Sequence, residues 1–357
     1  MRVVISAGGT GGHINPALAI IDKIKSEDKT SEILYIGTTD RMEKDIIPSK
    51  GIPYVGIEMQ GLRRSLSIKN ISAFIKYIKG IKVCKREIKK FNPDIVIGVG
   101  GYVTAPVIYS AKKLGYKTLI HEQNSILGLS NKMLLKYTDT LCTSFESMKP
   151  NKVHYVYTGN PTSENAIIKK AYKKEDFGFS KSKKLVLIVM GSLGSYTVNE
   201  VLKKAIDKFD DKKYQVVIVT GKKYYEEFEK LKRSKNIFLF PYIEDLPRLM
   251  KVTDVLVTRA GASTLSEIMA TTTPSILIPS PYVTENHQYK NAKDLVDKGA
   301  AIMLEEKNLD ENSLIEKIDY LINNDNLRFD IRENLNKNAK KNSATLIYNE
   351  ILKLINK

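Results

Sequence analysis

Two segments of this sequence share one pattern: a short apolar run ends in a glycine-rich turn and continues as a helical pattern. The first reads VVISAGGTGG at residues 3–12, and the second reads VLIVMGSLGS at residues 186–195. An apolar run without alternation is typical of a strand buried on both faces, and glycines permit a tight turn into the next helix. Because the pattern starts twice, the sequence predicts two Rossmann-like halves.

The rest of the chain repeats this alternation of β-branched runs and helical patterns, which predicts doubly wound parallel sheets in an α/β fold. Helical patterns include residues 17–26, 199–209 and 264–270. The predicted strands are residues 3–6, 32–36, 95–98, 118–121, 140–143, 185–190, 216–220, 237–240, 255–258 and 275–279.

The length of 357 residues, of which 42% are hydrophobic, is sufficient for two domains that each have a core. We place the hinge at the sequence GNP, residues 159–161, so that residues 1–161 form the N-terminal domain and residues 162–334 the C-terminal domain. The last helical pattern, about residues 335–357, is a candidate to pack back on the N-terminal domain.

Cysteine content and hydropathy restrict the class of protein. The two cysteines, Cys84 and Cys142, have no CxxC spacing, so they offer neither a zinc site nor a disulfide framework and suit a reducing cytoplasm. The N-terminal apolar run is too short for a signal peptide, and no stretch approaches the roughly 20 apolar residues that span a bilayer. We therefore expect a soluble or peripheral protein.

The net charge of +17 suggests nucleic acid, an anionic membrane or phosphorylated substrates as partners, unless it reflects only a lysine-rich proteome. The excess is local, because residues 61–90 contain ten Lys or Arg and one acid, Glu87. These bases are interleaved with isoleucines rather than stacking aromatics, which disfavours nucleic acid. The ten bases are Arg63, Arg64, Lys69, Lys76, Lys79, Lys82, Lys85, Arg86, Lys89 and Lys90.

Apolar residues in this basic segment fall at helical spacing, which favours an interfacial helix on anionic lipid. The candidate membrane contacts are Phe74, Ile75 and Ile78, with Ile71 and Ile81 at the same spacing. The alternative is a helix whose apolar face packs on the core and whose basic back is solvated.

The first glycine turn, GGTGGH at residues 8–13, is suited to an anionic group, because glycines allow close approach and a helix start exposes N–H groups. A dinucleotide site would need an acid at the end of the second strand, but none occurs before Asp40, and no Walker lysine follows the turn. His13 at the helix start would be neutral and could act as a general base. A ligand-free tight turn and a structural histidine are the alternatives.

Other polar clusters follow predicted strands at the same carboxyl edge, the ligand side of a doubly wound sheet. They are GVGGY at residues 98–102 and HEQN at residues 121–124, where His121 or Glu122 could instead be a buried hydrogen-bonded strut. In RAGASTLSE, residues 259–267, Thr264 and Glu267 have capping-box spacing. Alternatively, Ser263, Thr264 and the N–H groups hold a phosphate while Glu267 accepts hydrogen bonds from ribose.

Six segments, in this order and spacing, closely resemble the MurG family of peripheral transferases, which add N-acetylglucosamine to lipid I in peptidoglycan synthesis. They are GGTGGHINPALAI, GGYVTAPV, HEQNSILGLSNK, TGNP, AGASTLSE and NHQYKNA. The resemblance covers essentially the whole chain and implies a GT-B fold, in which two Rossmann-like domains face each other across a cleft. It implies UDP-N-acetylglucosamine bound mainly by the C-terminal domain, and lipid I, an undecaprenyl-diphosphate-linked acceptor, at the N-terminal glycine loops.

The same resemblance implies the product lipid II, a peripheral location on the cytoplasmic face of the bacterial membrane, and no cofactor. It implies that His13 is the base for the 4-hydroxyl of the acceptor, with inversion at the anomeric carbon. Ser192 would contact the UDP phosphate, Ile243 the uracil edge and Gln288 the sugar hydroxyls. Donor sugar or acceptor diphosphate would contact Thr10, Gly11, Gly12 and Asn124. Phosphate and ribose would contact Ala262, Ser263, Thr264, Leu265, Ser266 and Glu267.

Three positions depart from the family pattern. Leu193 stands where relatives often have glutamine, Thr162-Ser163 where many have an arginine after GNP, and His287 where a glutamine is frequent. A UDP-sugar 2-epimerase, which has a similar fold, is an alternative function for this sequence. That reaction needs acid/base carboxylates, for which Glu122 and Glu267 are the obvious candidates.

Overall fold

Parallel strands alternate with helices throughout the computed structural model, which describes residues 1–61, 69–151, 153–191, 194–231 and 233–356. The chain folds as two compact units, Met1–Thr162 with Asn342–Lys357 and Ser163–Lys341. Each unit contains one sheet, and every recorded strand pair is parallel. The predicted residues Arg63, Arg64, Ser192 and Leu193 lie outside the described residues.

The sheet of the first unit has the strand order β3-β2-β1-β4-β5-β6-β7. Its strands are Arg2–Ser6 (β1), Glu32–Thr38 (β2), Tyr54–Ile57 (β3), Ile95–Gly98 (β4), Lys117–Glu122 (β5), Thr140–Thr143 (β6) and Tyr155–Tyr157 (β7). The helices between them are Gly11–Glu27 (α1), Glu43–Ser49 (α2), Lys69–Phe91 (α3), Thr104–Lys113 (α4) and Leu129–Leu134 (α5).

The sheet of the second unit has the strand order β10-β9-β8-β11-β12-β13. Its strands are Leu185–Val189 (β8), Gln215–Val219 (β9), Ile237–Phe240 (β10), Val255–Thr258 (β11), Ser275–Leu277 (β12) and Ile302–Met303 (β13). The accompanying helices are Thr162–Ile168 (α6), Tyr196–Ala205 (α7), Tyr225–Glu229 (α8), Leu246–Met250 (α9), Ala262–Thr271 (α10), His287–Asp297 (α11), Glu311–Ile322 (α12) and Asp325–Asn338 (α13).

A last helix, Ser343–Ile355 (α14), packs against α1 in the first unit. Its Ile347 and Ile351 are fully buried in the same hydrophobic cluster as Val3 and Ile97 of the first sheet. The single helix predicted over about residues 335–357 is therefore wrong in extent. The chain breaks after α13 because Ala339 adopts an extended conformation (φ −72°, ψ 125°).

Three observed strands were absent from the prediction, namely β3, β7 and β13, and each lies at the edge of its sheet. The three strands are only two to four residues long and contain partly exposed residues, as short edge strands do. Tyr155–Tyr157, for example, has no fully buried residue. The interior strands, which are buried on both faces, all match a predicted apolar run.

Helix α3 has an apolar surface that does not face the core. Ala73, Gly80, Cys84 and Ile88 are buried, so they define the face that packs on the protein. The exposed large side chains lie elsewhere on the helix, with exposed fractions of 61% for Ile71, 61% for Phe74, 50% for Ile75 and 40% for Ile78. The alternative in which these residues pack on the core is therefore wrong. Within the described part of the chain, no helix combines the length and the hydropathy needed to span a bilayer.

Candidate functional site

The first glycine turn connects β1 to α1 at the carboxyl edge of the first sheet. Thr10 precedes the helix with extended backbone (φ −141°, ψ 161°), and its side chain does not cap the helix. Gly11 and Gly12 are the first two helical residues. The candidate residues Thr10, Gly11 and Gly12 thus lie at a helix start, where the partial positive charge of the helix attracts anions.

The two glycine clusters of the first unit pack directly on each other. The N–H of Gly8 donates to the carbonyl of Gly100 at 3.2 Å. Gly101 has φ +85°, and a Cβ atom there would lie 2.5 Å from the Gly8 carbonyl oxygen. A larger residue at Gly101 would therefore separate the loops that follow β1 and β4.

His13 is half-buried and held by this pair of loops. Its Nδ1 lies 3.1 Å from the carbonyl oxygen of Gly8. A carbonyl oxygen only accepts hydrogen bonds, so Nδ1 must carry the proton, and in the neutral ring the lone pair is on Nε2. On the other side, a Cβ atom at Gly100 would lie 2.5 Å from Cδ2 of His13. The ring is thus oriented by one carbonyl and by the absence of a side chain at Gly100.

Glu43 is a polar residue of this site that sequence reasoning missed. Its side chain is fully buried, and it begins α2 after the second strand. One carboxylate oxygen accepts the N–H of Gly9 at 3.1 Å. The other accepts both the N–H of Thr38 at 3.1 Å and its hydroxyl at 2.7 Å. Glu43 therefore ties the first glycine turn to the end of β2.

His121, in β5, and Gln123, just after it, are struts that connect this strand end to the loops after β4 and β7. Nε2 of His121 lies 3.0 Å from the carbonyl oxygen of Gly159, and Nδ1 accepts from the Gln123 amide at 2.9 Å. The same amide donates to the carbonyl of Val99 at 2.8 Å. Burial lowers the pKa of His121 to about 4, so its ring is neutral at physiological pH. The strut alternative is the correct one for His121.

The carboxylate of Glu122 is also occupied internally. It accepts the backbone N–H of Asn124 at 3.0 Å and the side-chain amide of Asn124 at 3.2 Å. It also accepts the N–H of Gly128 at 2.9 Å and the amide of Asn131 at 2.8 Å. Glu122 is 2% exposed and shapes the loop that presents the half-buried Asn124. This engagement disfavours an acid/base role for Glu122.

In the second unit, Arg259 lies beside the second glycine turn. It follows β11 and donates to the hydroxyl of Ser195, the N-cap residue of α7, at 2.6 Å. It also forms a 2.5 Å ion pair with Glu306, whose side chain is 6% exposed. Gly194 has φ +72°, and a Cβ atom there would lie 2.4 Å from the carbonyl oxygen of Thr220. The ends of β8, β9 and β11 are thus joined around this turn.

Helix α10 begins at Ala262, with Gly261 as its N-cap residue and no side-chain cap. Thr264 is therefore the third helical residue rather than the N-cap, and the capping-box alternative for Thr264 and Glu267 is wrong. The candidates Ala262, Leu265 and Ser266 are buried, whereas Ser263, Thr264 and Glu267 are half-buried. Burial raises the pKa of Glu267 to about 7, against the opposing charge of Lys169.

The remaining donor-side candidates follow strands of the same sheet. Gln288, in the first turn of α11, accepts the N–H of Ser280 with its side-chain oxygen at 2.9 Å. The fully buried Asn291 donates to the carbonyl of Ala260 at 3.4 Å, which ties α11 to the loop before α10. Ile243 is buried in the loop after β10. Across the described ranges, no group of three or more His, Cys, Asp or Glu could hold a metal ion.

Comparison with known proteins agrees with this architecture. The family model for the glycosyltransferase family 28 N-terminal domain matches residues 3–143, and the model for its C-terminal domain matches residues 185–349. In structure, the chain resembles the crystal structure of Acinetobacter baumannii MurG, with a TM-score of 0.79, 27% identity and 99% of each chain covered.

Two curated relatives carry the name UDP-N-acetylglucosamine--N-acetylmuramyl-(pentapeptide) pyrophosphoryl-undecaprenol N-acetylglucosamine transferase. The one from Bacillus cytotoxicus is 44% identical over 91% of each chain. The one from a Bacillus cereus strain, whose name adds the number 1, is 42% identical over the full length of both chains. The two parallel-sheet units, each matched by one domain of family 28, define a nucleotide-sugar glycosyltransferase of the GT-B fold. This chain belongs to the MurG family within glycosyltransferase family 28, and the predicted resemblance and fold are confirmed.

Proposed function

We propose that this chain transfers N-acetylglucosamine from UDP-N-acetylglucosamine to the 4-hydroxyl of the N-acetylmuramoyl unit of lipid I and so forms lipid II. The full-length similarity to transferases named for this reaction supports the assignment. One geometric observation carries the mechanism, namely the contact of His13 Nδ1 with the carbonyl oxygen of Gly8.

His13 accepts the proton of the 4-hydroxyl in this mechanism. The Gly8 carbonyl fixes the tautomer with the proton on Nδ1, so Nε2 has the lone pair that a general base needs. As the hydroxyl loses its proton, its oxygen attacks the anomeric carbon, and UDP leaves from the opposite face. The anomeric configuration is therefore inverted.

The acceptor diphosphate binds at the uncapped start of α1, where Thr10, Gly11 and Gly12 provide backbone groups. Asn124, which Glu122 holds in place, contacts the donor sugar or the acceptor diphosphate. The partial positive charge of the helix start favours an anion at this position.

The second unit binds the donor. The first N–H groups of α10 and the hydroxyls of Ser263 and Thr264 hold the diphosphate, and Glu267 accepts hydrogen bonds from the ribose hydroxyls. Leu265 and Ser266 shape this site from within the helix, since the Leu265 N–H donates to Gly261 and the Ser266 hydroxyl to Ala262. The side-chain oxygen of Gln288 is occupied by Ser280, so Gln288 contacts the sugar hydroxyls through its NH₂ group. Ser192 contacts the UDP phosphate, and Ile243 lies at the uracil edge.

A transfer assay tests this function. Incubation of the protein with labelled UDP-N-acetylglucosamine and a lipid I analogue is expected to move the label into the lipid product and to release UDP. Incubation with the labelled donor alone is the control, because a 2-epimerase would convert the donor without an acceptor. Epimerised UDP-sugar in the control, with no labelled lipid, would contradict the proposal.

Helix α3 docks the protein on the anionic cytoplasmic face of the membrane. Its exposed residues Ile71, Phe74, Ile75 and Ile78 follow the i, i+3, i+4, i+7 spacing of one helix face, and Lys79 and Lys82 are exposed beside them. This combination lets apolar side chains enter the interface while lysines contact lipid headgroups. All of these residues belong to the first unit, which binds the lipid-linked acceptor in our proposal.

We expect the double variant Phe74→Ser, Ile75→Ser to lose most of its binding to anionic vesicles, because two exposed apolar side chains contribute up to about 3 kcal/mol of transfer free energy. Co-sedimentation with phosphatidylglycerol vesicles measures this loss. Phe329→Ser is the matched control, since Phe329 is 63% exposed on α13 of the second unit. Equal vesicle binding by the double variant and the wild type would refute docking through α3.

A further inference from the structure

One peptide unit in the first glycine turn is held at both of its polar ends. The carbonyl of Gly8 accepts the Nδ1 proton of His13 at 3.1 Å. The N–H of Gly9, in the same peptide unit, donates to a carboxylate oxygen of Glu43 at 3.1 Å. A continuous chain of hydrogen bonds therefore runs from the Glu43 carboxylate through one planar amide to the imidazole of His13.

The surroundings of Glu43 fix this carboxylate in place. Two hydrogen bonds from Thr38 hold the oxygen that does not contact Gly9. Glycines provide the space, because a Cβ atom at Gly8 would lie 2.4 Å from a Glu43 carboxylate oxygen, and one at Gly37 would lie 2.7 Å from its Cγ. The side chain is fully buried, so its carboxylate is held among these partners.

We propose that Glu43 is a positioning residue that controls the tautomer and the basicity of His13 through the Gly8–Gly9 peptide. This proposal rests on the base role of His13 given above. A carboxylate that accepts the amide N–H polarises the peptide and makes its carbonyl oxygen a stronger acceptor. The stronger acceptor holds the proton on Nδ1 and stabilises the positive charge that the ring gains when Nε2 takes a proton, as a carboxylate does by direct contact in a Ser-His-Asp triad.

A carboxylate is required for this arrangement because three donors point at Glu43. In a Glu43→Gln variant, the amide can accept from Gly9 or from Thr38, but its NH₂ group meets an N–H donor at the other position. The Gly8–Gly9 peptide then either loses the acceptor of its N–H group or changes its orientation. Thr38→Val is the matched control, since it removes one hydrogen bond to Glu43 and leaves both carboxylate-to-backbone contacts intact.

The test measures both the tautomer and the kinetics on the full chain. Histidine-selective ¹⁵N labelling and long-range ¹H–¹⁵N correlation spectra report the protonated nitrogen of each of the four histidines. We expect wild-type and Thr38→Val proteins to hold the His13 proton on Nδ1. We expect Glu43→Gln to shift His13 towards the Nε2-protonated form and to lower kcat about tenfold, with KM for UDP-N-acetylglucosamine unchanged.

Three outcomes would overturn the proposal. The first is a wild-type protein whose His13 carries its proton on Nε2, which requires no variant to fold. The second is a Glu43→Gln variant with the wild-type tautomer and kcat. The third is an equal loss of kcat in Glu43→Gln and Thr38→Val, which would reduce Glu43 to a structural role. A wrong base assignment for His13 can be distinguished from a wrong role for Glu43. If His13 is not the base, His13→Ala keeps its activity, whatever the spectra of Glu43→Gln show.

Discussion

Replacement of His13 by alanine is expected to lower kcat for transfer to a lipid I analogue by about 10²- to 10⁴-fold, the contribution typical of a general base. The 4-hydroxyl is a poor nucleophile until it loses its proton. In our proposal, Nε2 of His13 carries the lone pair that accepts this proton. KM for UDP-N-acetylglucosamine should stay within about twofold, since a group that acts only in the transition state does not contribute to donor binding.

Steady-state kinetics with a labelled donor measure this effect, and His154→Ala is the matched control. His154 belongs to the same unit, and its side chain is 66% exposed. The control should have wild-type kcat. A His13→Ala variant with undiminished kcat would remove the base assignment and leave the transferase assignment in place.

The second large effect concerns Glu267 and the pH dependence of donor binding. Its pKa of about 7 means that the carboxyl group gains its charge between about pH 6 and pH 8. An ionised carboxylate accepts from both hydroxyls of a ribose, whereas a protonated one has lost an acceptor site. Affinity for UDP-N-acetylglucosamine should therefore rise with pH through this window. Hydrogen bonds to charged groups contribute about 1.5–3 kcal/mol, so Glu267→Gln should weaken binding at pH 8 about tenfold to hundredfold.

Isothermal titration calorimetry at pH 6, 7 and 8 checks this expectation. The Glu267→Gln variant should show little pH dependence, and Glu333→Gln, an exposed change on α13, should behave as the wild type does. A wild-type affinity that is constant from pH 6 to pH 8 would contradict the role given to the Glu267 carboxylate.

The raised pKa of Glu267 also affects the stability of the fold, which should fall as the pH rises, whereas donor affinity should increase. The folded state prefers the protonated form of Glu267, because burial raises its pKa from the usual value of about 4.5 to about 7. Stability is therefore highest below about pH 4.5 with respect to this group and falls as the pH rises to about 7. Glu267→Gln should have a higher unfolding temperature than the wild type at pH 8, where the wild-type charge is buried, but not at pH 5.

The sequence was sufficient to predict the interior of both sheets because strands covered on both faces leave unbroken apolar runs. It was insufficient for edge strands such as Tyr155–Tyr157, whose side chains are partly exposed. The start of α10 shows how a small error in position changes a functional interpretation. With a predicted start at Thr264, the residues had capping-box spacing, but the observed start at Ala262 removes that explanation and leaves Glu267 for a ligand.

The glycine turn and His13 were predictable for a related reason, since both belong to one local pattern. Glu43 was not, because its contact with Gly9 joins residues 34 positions apart and follows no periodicity. His121 and Glu122 had the composition of an active site, yet Gly159 satisfies His121, and Asn124 and Asn131 satisfy Glu122. Only the hydrogen-bond partners seen in the structure distinguish such struts from residues that can bind a substrate.

The helix α14 also determines the order in which the chain can mature during synthesis. The ribosome makes β1 and α1 first, but the cluster that they share with Ile347 and Ile351 stays incomplete until residues 343–355 have been made. All the residues of the second unit are translated before then. The first unit therefore completes its core only after the second unit has been made, and until then the apolar surface that α14 covers is exposed and prone to aggregation.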